Sequence, residues 1–498
     1  MTPAHPRARD WGVLACLSLG AFFLDGYHPT VEDAEIYLPG ILKRLHPSLF
    51  PHNSEFFESH AHMTFFPQII AESVRLLHVP VGIVLLGWQL VCIFLLLLAC
   101  WRIARLCFRE EYAVWCGVAL IAALLRMSAA GTGLYIMDEY LTPRSISTPG
   151  ALLAVGDAIE GNYLRAGVWI AVICAVHPLM AVFAGAFVAL LFIFQREFFA
   201  GTVPARVSVA GLAVIALPVF PKVTPAYREV LETRSYFFLT NWAWYEWLGL
   251  LGPFAVLACM AWLGKRKDLG ATHLICKALI AFEAMFFAIA LVISMPGRFE
   301  NLAELQPMRC LHLLYILMFL IGGGLLGTFV VKDRAWRWAL LFLPLCGVTV
   351  LAQRATFPAT PYVEWPWKVD SNPWVQAFEW IRANTPEDAY FAMNPAAMQM
   401  PGEDEHGFRA IAQRSLLADR VKDSGAVSMF PAMAEEWQEQ VNAQREWTKF
   451  QLTDFEKLKT RYGVNWVVVE AGQPGAAGLA CPYENSRVRV CRVEPETR

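Results

Sequence analysis

Three carboxylates, Glu32, Asp33 and Glu35, stand within four positions beside a Tyr-Leu-Pro sequence, in a chain whose residues are 56% hydrophobic. Carboxylates near a membrane are costly to desolvate unless a cation, a positive side chain or a proton accompanies them. The Asp-x-Glu spacing of Asp33 and Glu35 predicts a general base beside a ligand of Mg²⁺ or Mn²⁺, because hard cations take carboxylate oxygens and a base assists attack by a hydroxyl. The alternative is a solvated loop next to the first apolar segment.

A second acidic pair, Asp138 and Glu139, lies further along the chain and is followed by Arg144. If both acidic stretches lie on one side of the membrane, they converge on one cation or on one substrate. Asp138 then joins Asp33 and Glu35 as a ligand of the predicted divalent metal. The alternative is that Arg144 simply neutralises its two acidic neighbours.

Several basic and imidazole side chains are candidates for binding a phosphate or a polar substrate. Arg309 and His312 share a helix face, and the planar donor fork of arginine suits phosphate. His177 interrupts a long apolar run and faces either the bundle interior or an aqueous cavity. The alternatives are lipid-headgroup anchoring for the arginines and a structural role for the histidine. The predicted substrate-binding residues are Asp138, Glu139, Arg144, His177, Arg298, Arg309 and His312.

The composition is that of a polytopic membrane protein. Mean hydropathy is +0.42 and 17% of residues are charged, whereas soluble domains have about 25% charged residues. The net charge of −2 gives no sign of a nucleic-acid partner. The sequence contains no P-loop, no dinucleotide fingerprint and no HExxH motif, which gives no support to ATP-driven chemistry or to a zinc hydrolase.

Apolar runs predict about nine or eleven membrane spans, the number depending on residues 149–195. The run 166–194 would be about 43 Å long as one helix, too long for a core of about 30 Å unless it is broken or tilted. Either 149–160 and 166–176 form a short broken pair, or only one helix spans here. The remaining predicted spans are residues 11–24, 81–100, 112–130, 207–220, 248–263, 271–295, 310–331 and 338–351.

Basic residues cluster on alternate connections, which the positive-inside rule assigns to the cytoplasm. The first segment lacks a small-residue cleavage site and is predicted to be retained, with a cytoplasmic N-terminus. We therefore predict a multi-pass protein of the cytoplasmic (inner) membrane. Its transmembrane domain covers residues 1–352, with outer loops at 25–79, 131–148, 221–247 and 296–309.

The remaining residues, 353–498, are predicted to form a small exported α/β domain. Residues 374–383 have helical spacing, 433–461 are mostly helical, and 390–393, 466–470 and 487–493 read as strands. Cys481 and Cys491 are the cysteines of this tail, separated by a predicted turn at 482–486. In an oxidising compartment they form a disulfide, or they remain two unpaired packed thiols.

The pattern resembles the GT-C superfamily, polytopic glycosyltransferases that use polyprenyl-phosphate-linked sugars, and in particular its uncharacterised bacterial members. In this resemblance Asp33 takes the position of the first-loop acid, and Asp138 with Glu139 that of the second acidic site. A WWDYG signature is absent, which argues against transfer to asparagine. The stretches that carry the resemblance are residues 32–39, 45–50, 140–144, 177–178, 306–309 and 380–389.

The resemblance implies a GT-C-like helical fold and transfer of a sugar to an acceptor on the outer face of the membrane. The expected partners are the lipid bilayer, a polyprenyl-phosphate sugar donor and a glycan, lipid or protein acceptor. Arg144 and Arg309 would hold the lipid phosphate, and Asp33 would activate the acceptor hydroxyl. The alternatives are a lipid or glycan transporter, or a non-catalytic envelope assembly factor.

Overall fold

The computed structural model describes residues 6–200, 223–295 and 299–493. Most of the first part is helical. Its helices are α1 Ala8–Asp25, α2 Ala34–Leu45, α3 Glu55–Met63, α4 Phe66–Leu77, α5 Val81–Cys107, α6 Glu111–Ala123, α7 Pro143–Ile159, α8 Tyr163–Val176 and α9 Pro178–Ala200. They are followed by α10 Pro225–Glu232, α11 Trp244–Arg266, α12 Gly270–Ile293, α13 Cys310–Leu326 and α14 Ala335–Thr356.

Within the described ranges, six helices are long and apolar enough to cross a membrane. They are Val81–Cys107, Pro178–Arg196, Trp244–Arg266, Gly270–Ile293, Glu300–Val331 and Ala335–Thr356. Two shorter apolar helices, α6 and α8, accompany them. The predicted span at 207–220 lies outside the described residues, so the total number of spans stays a prediction.

The ambiguous stretch 149–195 forms three helices, because the apolar run breaks at His177. Proline has no amide hydrogen and disfavours a helical residue before it, so α8 ends at Val176 and α9 begins at Pro178. At the other end, Tyr163 donates a hydrogen bond to Gln195, which in turn donates to the Ala158 carbonyl at 3.0 Å. Helices α8 and α9 are therefore antiparallel and turn at His177.

Ion pairs join the basic ends of several helices at one face of the bundle. Arg7 before α1 pairs with Glu111 at the start of α6. Arg102 near the end of α5 lies 2.5 Å from Asp157 of α7. These contacts bring together connections that the charge pattern assigns to the cytoplasm. The assignment of this face to a compartment remains a prediction.

The first outer stretch, predicted as a polar loop, contains three helices instead. Helix α2 begins directly after Asp33, contains Glu35 and buries Ile36, Leu38 and Ile41. Further on, short strands β1 Ser128–Ala129 and β2 Leu134–Tyr135 form a hairpin before α7. Thr142 caps α7 by accepting a hydrogen bond from the Ser145 amide.

The C-terminal part contains a five-stranded sheet in the order β4-β3-β5-β7-β6. Strands β3 and β5 lie within a residue of the predicted limits, as does β7, and β6 was not predicted. The strands are β3 Tyr390–Met393, β4 Ser415–Leu416, β5 Trp466–Glu470, β6 Ala480–Glu484 and β7 Val488–Arg492. The helices are α15 Pro373–Asn384, α16 Phe408–Ala412, α17 Asp423–Met429, α18 Ala434–Ala443 and α19 Leu452–Tyr462.

The predicted turn at 482–486 is wrong, because the chain stays extended to Glu484 and turns around Asn485. The Asn485 side chain accepts hydrogen bonds from the amides of Arg487 and Val488 and so closes the turn. Strands β6 and β7 pair antiparallel across it. The structure has a disulfide between Cys481 and Cys491 on these two strands.

Backbone hydrogen bonds attach the C-terminal part to the first acidic stretch. The Glu32 amide donates to the Glu405 carbonyl at 2.9 Å, and the Gly407 amide donates to the Thr30 carbonyl at 2.8 Å. Glu32 has a φ of 53°, a left-handed conformation that is uncommon for a side-chain-bearing residue. The C-terminal chain thus fixes the backbone from which Asp33 projects.

Candidate functional site

A cavity of about 720 Å³ lies between the outer helices, the α8–α9 turn and the start of α17. It brings together side chains from distant parts of the sequence. Its charged and imidazole lining includes Asp33, Asp138, Arg144, His177, Arg309 and Lys422. Five of these six were predicted site residues; Lys422 was not.

Asp33 precedes the first residue of α2, and its carboxylate is partly open to the cavity, with 30% of the side chain exposed. One oxygen, Oδ1, lies 3.3 Å from Lys422 Nζ. The other, Oδ2, lies 3.6 Å from Arg144 Nη1. The Asp33 amide donates to Tyr140 Oη at 3.2 Å. These contacts hold the Asp33 carboxyl group at the cavity wall between two basic side chains.

Asp138 and Arg144 form a buried pair at the start of α7. Asp138 Oδ2 accepts hydrogen bonds from Arg144 Nη2 at 2.9 Å and from Thr142 Oγ1 at 3.1 Å. Thr142 is also the helix cap, so one residue sets both the start of the helix and the position of the carboxylate. Arg144 therefore contacts both predicted acids of the cavity.

Glu35 does not line this cavity, although it was predicted to act with Asp33. Its Oε1 accepts from the Arg409 amide and its Oε2 from the Ala410 amide, each at 3.0 Å, and the residue is 1% exposed. Successive residues of a helix rotate by about 100°, so residues two apart point to nearly opposite sides. Folding this stretch as a helix therefore separates Glu35 from Asp33.

Two other predicted substrate ligands are used elsewhere, and one lies outside the described residues. Glu139 Oε1 lies 3.0 Å from Arg126 Nη1 in a buried pair. His312 Nε2 lies 3.1 Å from the Ile136 carbonyl oxygen, within the bundle. Neither residue lines the cavity. Arg298 falls in the gap between the described ranges.

Arg309 and Arg234 face the cavity without an acidic partner. Across the described residues, no carboxylate lies within ion-pair distance of either guanidinium, and both Nε atoms are buried without a hydrogen-bond partner. Arg234 Nη2 donates to the Val421 carbonyl at 2.6 Å and lies so close to Gly425 that a Cβ there would be 2.5 Å away. Arg234 belongs to no recognisable motif in the stretch 221–247, so nothing in the sequence singles it out.

His60 adds a neutral polar group to the same wall. Burial lowers the pKa of His60 to about 4. The nearby charges of Arg309 and Arg234 also lower this pKa, whereas Asp33 raises it. Its Nδ1 is buried without a hydrogen-bond partner. The four histidines of the first outer stretch, His46, His52, His60 and His62, do not have the spacing of a zinc motif, so the sequence does not single out His60. A neutral imidazole can still donate or accept one hydrogen bond with a ligand.

The far side of the cavity is apolar. Met63, Val182 and Leu305 line it and are 45%, 46% and 41% exposed in the described structure. Leu179 lies beside them, next to the α8–α9 turn that carries His177. The cavity thus combines a charged wall with an apolar opening, as a substrate with a polar head and a hydrocarbon tail requires.

The three predicted metal ligands, Asp33, Glu35 and Asp138, are not grouped as a three-ligand cluster in the described structure. Among the described residues, the group of ligand atoms close enough to hold an ion is Glu364, Asp370 and His406, all within 4.8 Å of one another. This cluster is also explained by hydrogen bonding alone. Glu364 Oε1 lies 2.6 Å from His28 Nδ1 and 3.3 Å from His406 Nε2.

Comparison with known proteins finds no matching family model and no matching curated protein. The solved structures that are similar include two of an oligosaccharyltransferase from Archaeoglobus fulgidus. The archaeal enzyme AglB, in complex with an inhibitory peptide and a dolichol-phosphate, is 14% identical over 92% of this chain and 69% of its own, with a TM-score of 0.47. The apo form is 13% identical over the same shares, with a TM-score of 0.48. At this level neither similarity assigns a family or a function.

Proposed function

We propose that the protein is a membrane glycosyltransferase that moves a sugar from a polyprenyl-phosphate-linked donor to an acceptor hydroxyl. One observation carries this proposal: Asp33 shares a cavity with Arg234 and Arg309, which have no acidic partner among the described residues, and this cavity has an apolar opening. A lipid-linked sugar phosphate has matching parts, namely a hydroxyl-rich sugar, an anion and a hydrocarbon chain. The resemblance of the sequence to GT-C proteins supports the same reaction class.

The two arginines are the natural ligands of the donor phosphate. Their planar donor groups match phosphate oxygens, and no carboxylate of the described chain competes for them. Arg144, by contrast, is already committed to Asp33 and Asp138. We therefore assign phosphate binding to Arg234 and Arg309 and a supporting role to Arg144. The prenyl chain would leave past Met63 and Val182.

Asp33 is the proposed general base. The acceptor O–H bond breaks as its proton passes to the Asp33 carboxylate, and the oxygen forms a bond to the anomeric carbon of the sugar. The bond from that carbon to the phosphate oxygen breaks, and its electron pair stays on the phosphate. The leaving group is a stable anion held by Arg234 and Arg309, so no strong general acid is required.

Transfer would take place on the outer face of the cytoplasmic membrane. The cavity is built at the end of the bundle that carries the outer helices and the C-terminal part, opposite the ion-paired basic face. The positive-inside rule assigns that basic face to the cytoplasm. The acceptor would be a glycan, a lipid or a protein presented from the outer side.

The test is transfer of labelled sugar from a polyprenyl-phosphate donor by the purified protein. Asp33→Asn should lower the turnover rate at least about 100-fold, as expected for loss of a general base. The matched control is Glu72→Gln, which alters an exposed acid paired only with Arg75. Transfer by Asp33→Asn at the wild-type rate would remove Asp33 as the base.

A lipid or glycan transporter is the rival function, because it would also need a charged cavity that opens to lipid. A transporter moves its substrate without changing its covalent structure. Mass analysis of surface glycans in a deletion strain separates the two. A missing sugar unit supports the transferase, whereas accumulation of complete lipid-linked glycan on the inner side supports transport.

A further inference from the structure

We propose that the Arg144 guanidinium occupies the place of a divalent cation between the two cavity acids, so that sugar transfer at this site needs no metal. The catalytic half of this inference rests on the proposed transferase function. The binding half, that the Asp33–Asp138 pair takes up no metal ion while Arg144 is present, is independent of any activity.

Arg144 contacts both acids at the position that a shared metal ion would take. Nη2 of Arg144 lies 2.9 Å from Asp138 Oδ2, and Nη1 lies 3.6 Å from Asp33 Oδ2. A shared Mg²⁺ or Mn²⁺ would have to sit about 2.0–2.2 Å from an oxygen of each carboxylate. The guanidinium already bridges these two oxygens, so a metal ion shared by the same two oxygens would have to displace it.

The third predicted ligand is also missing from the cavity. Glu35 is turned away, and its oxygens are used by the amides of Arg409 and Ala410. Glu32, in the same acidic stretch, forms an ion pair with Lys422, which also contacts Asp33. Each acid of this stretch that faces the cavity is therefore matched by a positive side chain of the protein itself.

Arg144 is suited to act as a permanent cation. It lies in the first turn of α7, is 5% exposed and stays protonated at every physiological pH. Its position is fixed by Asp138, which is held in turn by Thr142. A positive charge fixed in advance at the cavity wall would stabilise negative charge that develops in the reaction, without an exchangeable ligand.

Manganese binding gives a test that does not require turnover. Wild-type protein, Arg144→Ala, Asp138→Asn and the Arg144→Ala/Asp138→Asn double variant are stripped with EDTA and titrated with Mn²⁺ alone, with free Mn²⁺ followed by EPR. We expect Arg144→Ala to bind about one more equivalent than wild type, and the double variant to lose it. Manganese held at Glu364 and His406 would be common to all four proteins and cancels in the comparison.

Transfer assays test the catalytic half. Wild-type transfer should be unchanged by EDTA. The transfer rate of Arg144→Ala should fall at least about 100-fold and recover at least about tenfold in millimolar Mn²⁺.

The inference is overturned if EDTA abolishes wild-type transfer and Mn²⁺ restores it. It is also overturned if wild-type protein binds an equivalent of Mn²⁺ that Asp138→Asn removes. The wild-type comparisons decide the matter even if Arg144→Ala fails to fold. If no donor supports transfer, the proposed function fails, and the manganese titration still decides the binding half.

Discussion

Glu35 and Arg409 tie the first outer stretch to the C-terminal part, across 374 positions of sequence. Glu35 Oε1 accepts a hydrogen bond from the Arg409 amide at 3.0 Å and lies 3.4 Å from its guanidinium. Arg409 in turn donates to both oxygens of Asp423, at 2.9 and 2.8 Å. Because Asp423 begins α17 and Lys422 precedes it, this chain of contacts also positions the cavity wall around Asp33.

We predict that Glu35→Gln destabilises the protein without removing its chemistry. The amide keeps one acceptor oxygen, so one of the two backbone donors loses its acceptor and Arg409 loses the Glu35 charge. Breaking a buried ion pair costs about 3–5 kcal/mol. The apparent melting temperature in detergent should fall clearly, while transfer per folded molecule at low temperature stays near wild type. Glu72→Gln serves as the control, since an exposed pair contributes about 0–1 kcal/mol. Unchanged melting together with lost transfer would restore Glu35 to the chemistry.

Arg309→Gln and Arg234→Gln should each weaken binding of polyprenyl phosphate about 10- to 100-fold, because a hydrogen bond to a charged group contributes about 1.5–3 kcal/mol. Calorimetric titration with a short-chain polyprenyl phosphate measures this directly. Arg228→Gln, an exposed arginine of α10 outside the cavity lining, is the matched control. Gly425→Ala should mimic Arg234→Gln in part, because its Cβ would displace the Arg234 guanidinium. Wild-type affinity in both arginine variants would remove the phosphate assignment.

The pair of Glu364 and His406 predicts a pH-dependent contribution to stability. Burial alone would lower the pKa of His406, but the Glu364 charge outweighs it and raises this pKa to about 10. Burial would raise the pKa of Glu364, and the two histidines outweigh it and lower this pKa to about 2. The His406 contribution is complete below its unfolded pKa of 6.5 and is lost as the pH rises through 10. The Glu364 contribution is complete above 4.5 and is lost as the pH falls through 2.

Glu364→Gln should therefore cost most stability between about pH 4.5 and 6.5 and progressively less towards pH 10. Thermal unfolding of wild type and variant across this range measures the difference. Glu484→Gln, whose acid is 60% exposed and lies 3.5 Å from Arg489, should show a small and nearly constant difference. A penalty for Glu364→Gln that grows with pH would contradict the charged pair.

The disulfide between Cys481 and Cys491 gives a prediction about topology. Replacing both cysteines by serine should lower the stability of the C-terminal part by about 2–3 kcal/mol, since the bridge closes a short loop. In intact cells an impermeant thiol reagent should label the tail only after reduction, with Cys491→Ser as the control that leaves the partly exposed Cys481 thiol free without reduction. Labelling of both thiols before reduction would contradict the bridge. No labelling even after reduction would contradict the outer location.

The cavity residues that can be predicted from the sequence are those whose burial alone would be energetically costly. Asp33, Asp138 and Arg144 are charged residues in an apolar chain, and burying them is too expensive unless they meet. The charge pattern assigns the stretches of Asp33, Asp138 and Arg144 to one side of the membrane, so these residues are expected to lie close together. His177 was found through the proline after it, which breaks a run too long for one span.

The missed features depend on long-range folding. Glu35 was assigned to the cavity because its stretch was treated as a loop, and helical rotation turns it towards Arg409. Lys422 and Arg234 reach the cavity from segments with no unusual spacing. Strand β6 was missed because proline and asparagine suggested a turn, yet proline fits at an edge strand, which is where β6 lies.

The contribution of Lys422 and Gly425 to the cavity wall has a consequence for biosynthesis. Asp33 and Arg144 are translated early, whereas Lys422 and Gly425 are translated after α14, the last of the long apolar helices described. Until they have been translated and have docked, the Asp33 carboxylate lacks its lysine partner and the cavity lacks one side. A chain truncated shortly after α14 is therefore expected to lack the proposed transfer activity.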